Sequence, residues 1–356
     1  MTRTSAKRKR DTGNDFLDDV TIAILVATAA GVLQSECQGA DETHPPPKRR
    51  REVIRNRLDW DQHAKNLCNE KQFENTYRMS RSSFEKLVRI VSHHLAQDAF
   101  QAERRAGVVI STPIAVHTCI RWLAGGKAQD IRLISGFSKP TFYRIIHTVM
   151  DAINTAVELQ LIFPLSAGQL EEAAAGFLVR SEKGIISGCI GAVDGWLCPI
   201  RVPKVDECGK VIAFFSGHYQ RYGLNVQACA DAHSRITAFS VRSPGGMNDA
   251  LAFKAWDLSK VLVELEGPYF AVGDNAYSQR PYLMTPYNKT QLAGNKQRDD
   301  YNYFISELRI RVEMAFGLMV NKWGILQSPL KVNLSRCPAV ISACIRLHNF
   351  CINERL

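Results

Sequence analysis

The segment 188-GCIGAVDGWLCPI-200 carries a single charge, Asp194, in an otherwise apolar run. Small and β-prone residues surround the acid, so the run reads as a buried central strand. A lone carboxylate on such a strand is costly unless it is paired or binds a cation. Asp-Gly is also a common turn dipeptide, so a turn aspartate ahead of Gly195 is the competing reading. The sequence on either side bears on that choice.

Downstream, 271-AVGDNAYSQRPYLMTPY-287 repeats the pattern. Tyr269 to Val272 forms a short apolar strand that ends in Gly-Asp-Asn. The carboxyl ends of strands in open α/β sheets are where ligand sites form, which suits Asp274. A loop-capping aspartate is the plainer alternative. A third acid, Glu313, lies in 309-RIRVEMAFG-317, on a helix whose Phe304, Leu308, Val312, Ala315 and Met319 make one buried stripe. Glu313 stands at the edge of that stripe. Gly317, one turn on, leaves it uncovered, and helix-interior glycine costs roughly 1 kcal/mol against alanine. Close approach of a backbone or a ligand would explain that glycine. A surface glutamate paired with Arg309 is the alternative, worth a few tenths of a kcal/mol at most in that orientation.

Hard divalent cations take oxygen ligands, one or two carboxylates per ion. Two such ions can clamp the attacking and leaving oxygens of a phosphodiester. Three acids far apart in sequence matter for that chemistry if the fold gathers them.

Five further segments are distinctive: 191-GAVDGW-196 within the first strand, 225-NVQACAD-231, 244-PGGMNDALAF-253, the 309–317 helix and the closing 346-RLHNFC-351. With the Asp274 segment, and in this order, they resemble the catalytic motifs of PIF/Harbinger DDE transposases. The domesticated members of that family are Harbinger transposase-derived nucleases. The resemblance covers roughly residues 79–356. It implies an RNase H-like fold and a DDE triad of Asp194, Asp274 and Glu313. The spacing of 39 positions from the second acid to the third suits the family. It also implies a separate Myb/SANT-like DNA-binding partner. Two stretches depart from the family pattern. The region after the glutamate, "FGLMVNKWGIL", has Lys322 as its only charge, and "HYQRYGL" has Arg221 as its only full charge. Grip on DNA near the site is therefore weaker or placed elsewhere.

The mechanism implied is two-ion phosphodiester chemistry with Mg²⁺ or Mn²⁺. Asp194 and Asp274 would share one ion, with Asp194 bridging, and Glu313 would help hold the second. The three carboxylates are then expected to surround an ion pair about 4 Å apart. Asp231 ends its strand and Asp249 starts a helix, so both rank as supporting residues. Asp249 equally suits a helix N-terminus. The paired carboxylates of glycosidases are a formal competitor, but they account for neither the basic charge nor the helical region described next.

The 356 residues carry a net charge of +10, which fits a polyanionic partner such as DNA. Eleven Lys/Arg against nine Asp/Glu in residues 1–60 account for only +2 of it. The length suits two domains and a tail. Residues 1–60 read as a largely disordered basic tail, 61–160 as a helical, helix-turn-helix-like DNA-binding region, and 161–356 as the RNase H-like DDE nuclease domain. Two clusters in the tail, Lys7-Arg8-Lys9-Arg10 and Lys48-Arg49-Arg50-Arg51, have the composition of nuclear import signals or phosphate-binding arms, which places the protein in the nucleus. Between them 20-VTIAILVATAAGVL-33 is too short to span a bilayer and follows an acidic patch, so neither a membrane span nor a signal peptide is expected.

In the helical region, 80-SRSSFEKLVRIVSHHLAQD-98 has Phe84, Leu87, Val88, Val91 and Leu95 on one stripe, with Ser80 or Ser82 as cap. The run 128-AQDIRLISGFSKPTFYRIIHTVMDAI-153 reads as helix, tight turn at Gly136–Lys139, helix. Pro140 sits in the first turn of the second helix. This is helix-turn-helix spacing, and Lys139, Thr141, Tyr143, Arg144 and His147 can face a groove or backbone of DNA. An ordinary helical bundle gives the same pattern. The ten cysteines form no CxxC pair and read as reduced core thiols. Cys344, His348 and Cys351 share one helix face near Cys337, where a zinc site and buried packing compete, with packing favoured by Ile341, Ile345 and Leu347 around them.

The function expected from all this is a divalent-metal-dependent DNA endonuclease or transposase, transposon-encoded or domesticated. A catalytically inactive, domesticated DNA-binding or scaffold protein is the alternative.

Overall fold

The computed structural model describes residues 56–95 and 110–355. The basic clusters at 7–10 and 48–51, the apolar run 20–33 and Cys37 lie outside the described residues.

The described chain opens with six helices: α1 Trp60–Asn69, α2 Phe73–Tyr77, α3 Arg81–Leu95, α4 Thr112–Leu123, α5 Ala128–Ile134 and α6 Lys139–Thr155. Local chemistry sets their ends. Asp59 accepts from the Gln62 N–H at 3.1 Å, and Ser80 Oγ accepts from the Ser83 N–H at 3.1 Å. The α3 stripe is buried at Phe84, Leu87 and Val91, while Val88 and Leu95 flank it half-buried. Trp60 stacks on Phe84 at 4.9 Å between ring centres, so α1 is anchored on α3. Between α5 and α6 the chain turns through Gly136 at φ +68°, a conformation that favours glycine. Ser138 then caps α6 by accepting from Thr141 N–H at 3.3 Å.

A seventh helix, α7 (Ala167–Arg180), begins in a capping box formed by Ser166 and Gln169 and leads into the sheet. Strand β1 (Cys189–Pro199) is the predicted one, and Asp194 lies within it rather than in a turn. Then come β2 (Phe215–Ser216), β3 (Arg221–Ala230), β4 (Ile236–Pro244), helices α8 (Asp249–Lys254) and α9 (Leu258–Glu264), and strands β5 (Phe270–Val272) and β6 (Leu283–Met284). Two long helices close the chain, α10 (Lys296–Lys322) and α11 (Cys337–Asn353).

The sheet is mixed. β1 pairs antiparallel with β3, and β3 pairs antiparallel with β4; β5 runs parallel to β1, and β6 parallel to β5. β1 is therefore central, and its first five residues are fully buried. Apolar clusters lie on both sides of the sheet. The smaller joins Ile190 and Val193 to Leu170 of α7, Phe253 of α8 and Leu262 of α9. The larger joins Ala192 and Val226 to Leu308 and Val312 of α10, Ile345 of α11 and the α3, α4 and α6 stripes. The helical region and the sheet thus share one core, with α6 lying against α11.

The α10 stripe runs through Ile305, Leu308, Val312, Ala315 and Met319. Phe304, assigned to it from the sequence, is only half-buried. At about 100° per residue, Ile305 is the better aligned of the two with Leu308 and Val312. On α11, Cys344 is enclosed by neighbouring apolar residues, and burial holds its thiol well above the ordinary range. His348 is bonded through Nε2 to the Ser234 carbonyl at 2.9 Å, and burial lowers its pKa to about 4. This face is packed core, the second of the two sequence readings. All nine described cysteines are free thiols. No helix among the described residues is long and apolar enough to cross a membrane.

Candidate active site

The parallel pairing of β1 and β5 sets the first two acids side by side. Ala192 is level with Val272 in the register. Asp194 and Asp274 each lie two residues beyond that pair, Asp194 still on β1 and Asp274 just past the end of β5, so both emerge at one level. Asp194 Oδ1 accepts from the Gly195 N–H at 2.8 Å, and Asp274 Oδ1 accepts from the Ala276 N–H at 3.0 Å. Each carboxylate is fixed through one oxygen by a backbone N–H. Glu313 comes from α10, which packs against β1 and β5. All three acids line one cleft of about 750 Å³.

A fourth carboxylate joins them. Asp249 is the first residue of α8, directly after the N-cap Asn248, and lines the same cleft. Its Oδ1 accepts from Asn225 Nδ2 and from Gln227 Nε2, both at 2.9 Å. Gln227 Nε2 also donates to Asn225 Oδ1 at 2.7 Å, and Tyr277 Oη donates to Gln227 Oε1 at 2.8 Å. Gln227 is the cross-strand partner of Gly195. A Cβ on Gly195 would overlap Asp249 Oδ1 and come within 2.6 Å of Gln227 Nε2. Gly195 is there so that Asp249 can reach over the strand. Gly195→Ala is expected to lower stability by about 1–3 kcal/mol through this overlap, read as a drop in melting temperature; an unchanged melt would show that α8 yields freely.

Charge is concentrated here. Burial raises the Asp194 carboxyl to a pKa of about 7; repulsion from Asp274 and Asp249 adds to that, while the Gly195 N–H and the Arg309 guanidinium oppose it. Asp274 is raised by the same main cause, with Asp249 and Glu313 contributing. The Tyr277 phenol is pushed far up by burial and by Asp249, Asp194 and Asp274, so it stays a neutral donor.

Arg309 lines the cleft among these acids. Its Nη1 pairs with Glu313 Oε1 and lies 3.9 Å from Asp194 Oδ2. The Arg309–Glu313 pair anticipated as the plain reading of Glu313 therefore forms, and it forms inside the cleft. The expected close convergence is not met: among the described residues, no three His, Cys, Asp or Glu side chains are gathered tightly enough to hold an ion as they stand. Four like charges repel, and a guanidinium stands between two of them. The donor set itself is all oxygen, the carboxylates of Asp194, Asp249, Asp274 and Glu313 lining one cleft. That chemistry suits a hard divalent cation.

Asp231 stands apart from the cleft. Its carboxylate accepts from the His233 and Arg235 N–H groups and pairs with Arg235 Nε at 2.6 Å, which ties the β3–β4 turn. Lys139, Tyr143 and Arg144 are exposed on α6, whereas Thr141 and His147 are half-buried. Thr141 Oγ1 is engaged with Ser138 Oγ at 2.8 Å.

Sequence reasoning gave no role to Asn225, Gln227 or Tyr277. Their signal was present: two amides at alternate positions of an apolar strand share one face, which a purely structural strand rarely spends on polar groups. The loop between β2 and β3, read from the sequence only as a weakly charged DNA-facing stretch, also reaches the cleft. It places His218 and Tyr219 at the cleft, ring edge to face at 4.6 Å.

Residues 193–349 match the family described as DDE superfamily endonuclease. They contain all four cleft carboxylates. A relative from Arabidopsis thaliana described as Protein ALP1-like is 23% identical over 317 residues, covering 83% of this chain and 75% of that protein. No solved structure matches the chain.

Proposed function

We propose that this protein is a divalent-metal-dependent DNA endonuclease of the PIF/Harbinger type, built on an RNase H-like core. The observation that carries the reading is the meeting of Asp194, Asp274 and Glu313 in one cleft, from a central strand, the end of its parallel neighbour and a covering helix. The order of elements supports the core assignment: the long antiparallel strands β1, β3 and β4, the helices α8 and α9, then β5 parallel to β1 and the later helix α10. So does the endonuclease family match, which includes all three acids.

Asp194 and Asp274 are the residues to hold one Mg²⁺ or Mn²⁺, and Glu313 the residue to help hold a second, with Asp249 beside them. When bound, such ions activate water or a DNA 3′-hydroxyl and stabilise the leaving oxygen. The chain's own residues do the rest. The Gly195 and Ala276 N–H groups fix the rotamers of the two aspartates. Asn225, Gln227 and Tyr277 fix Asp249 through a buried chain of donors. Glu313 is held through Arg309. No protein nucleophile is required.

For DNA itself, the exposed Lys139, Tyr143 and Arg144 on α6, following the α5 turn, suit a helix-turn-helix contact with groove or backbone. A Myb/SANT-like partner would supply further target recognition, as the family resemblance implies. A plasmid-nicking assay tests the function: supercoiled DNA is expected to be nicked with Mg²⁺ or Mn²⁺ and left intact with EDTA. One observation favours a second reading, a DNA-binding or scaffold protein without turnover: the acids are not drawn in around a single point. Retention of DNA without nicking, in the presence of the partner protein, would establish that second reading.

We also place the protein in the nucleus, on the two basic clusters of the tail. Replacing Lys48–Arg51 and Lys7–Arg10 together with alanine is expected to leave a fluorescently tagged protein spread through the cytoplasm; unaltered nuclear accumulation would refute the assignment.

A further inference from the structure

We propose that Arg309 is the built-in counter-ion of the acid cluster, and that a cation binding at Glu313 must displace it. This rests on the two-ion reading above and adds a competitor to it. Among the described residues Arg309 is the one cation ion-paired with any of the four cleft carboxylates. It bridges two elements, holding Glu313 on its own helix and approaching Asp194 on β1. The arginine side chain is 23% exposed and the glutamate 45%, so the guanidinium lies on the inner side of the pair, toward the strand.

Helix stability does not account for this placement. Arginine four residues ahead of glutamate is the weaker orientation of such a pair. The position makes sense as electrostatics within the cleft. Asp194, Asp249, Asp274 and Glu313 would otherwise face one another with no positive charge among them. A guanidinium is charged at every relevant pH, so it supplies that charge permanently. Through Nη1 it faces two carboxylates on different elements at once.

The same geometry sets up competition. Arg309 Nη1 occupies Glu313 Oε1, an oxygen that a second cation would need. A divalent cation and a guanidinium on one carboxylate oxygen repel at short range. Arg309 and Glu313 are one turn apart on a rigid helix, so the backbone cannot part them. The side chain itself must swing away. The cation that depends on Glu313 therefore binds more weakly than the one that depends on Asp194 and Asp274, and Arg309 sets the difference.

The test is Mn²⁺ binding to the full chain without DNA, followed by the electron paramagnetic resonance signal of the free ion. Wild type is compared with Arg309→Gln, Arg309→Met and Glu313→Gln, each checked for folding by circular dichroism. Wild type should show two unequal affinities. In the Arg309→Gln and Arg309→Met proteins the weaker affinity should tighten by about tenfold, with less change in the stronger. Glu313→Gln should remove the weaker one. Either neutral variant at position 309 carries the test if the other misfolds. If both leave the weaker affinity unchanged or reduce it, Arg309 merely orients Glu313 and the proposal is overturned. If wild type takes up no Mn²⁺, the two-ion reading itself fails, a result distinct from the first.

Discussion

Asp274→Asn is expected to reduce divalent-dependent DNA nicking by at least about 10³-fold, while leaving DNA affinity within about twofold. The swap keeps the shape of the side chain and its bond to the Ala276 N–H. It removes the negative charge that a hard cation requires of the free oxygen. Binding should survive because phosphate contacts come chiefly from Lys and Arg spread over the surface, in a chain of net charge +10. Asp194→Asn and Glu313→Gln should give the same separation of cutting from binding, since the three acids act as a unit. Gel-shift and nicking assays on the same preparations measure it. Equal nicking by wild type and mutants would make these acids structural and place any nuclease activity elsewhere.

Each of the three acids sits in a local pattern that physics marks, but each pattern also had a plain structural reading, and it was the family resemblance that grouped them. Asp194 is a charge in an apolar strand, Asp274 follows a strand end, and Glu313 edges a helical stripe. Periodicity located β1 and the α3 and α10 faces, slipping by one residue at Phe304. What the sequence hid was the neighbourhood. Whether Asp194 and Asp274 stand level depends on the β1–β5 register, a pairing across some eighty residues. The same holds for Gly195, which read as half of a turn dipeptide. It is a strand residue whose missing side chain makes room for Asp249. Asp249 and Asp231 looked equivalent in sequence, each at an element end beside a family motif. Tertiary placement separates them: one reaches the cleft over Gly195, and the other closes a turn with Arg235. Gly317 meets no atom within 4 Å of where a Cβ would stand. Close approach of another described segment therefore does not explain it.

The acids proposed to bind the cation should also weaken the fold that carries them. Asp194→Asn is expected to stabilise the protein in EDTA at pH 8 by on the order of 2–4 kcal/mol, at roughly 2–4 °C of melting temperature per kcal/mol. The cause is burial of the Asp194 carboxylate, with Asp274 and Asp249 repelling it, which raises its pKa to about 7 from an ordinary 3.8. Between those two values the folded state holds a proton that the unfolded state has released. Stability therefore falls as pH rises from about 4 to about 7, and the full penalty is present above that. Asparagine cannot ionise and escapes it, keeping an oxygen to accept from the Gly195 N–H. The gain should accordingly shrink to a small remainder near pH 4, where Asp194 is protonated in the folded state and about half protonated in the unfolded one. Divalent ions should reverse the order, because Mn²⁺ stabilises only the chain that binds it. Melting curves at pH 4 and pH 8, each with EDTA and with Mn²⁺, give the comparison. A variant that melts no higher than wild type at pH 8 in EDTA would mean that Arg309 and the backbone donors already compensate Asp194, and that the cleft holds no such strain. A gain in EDTA that Mn²⁺ inverts would show one carboxylate working against the fold and for the ion, which is the trade a metal-dependent nuclease has to make.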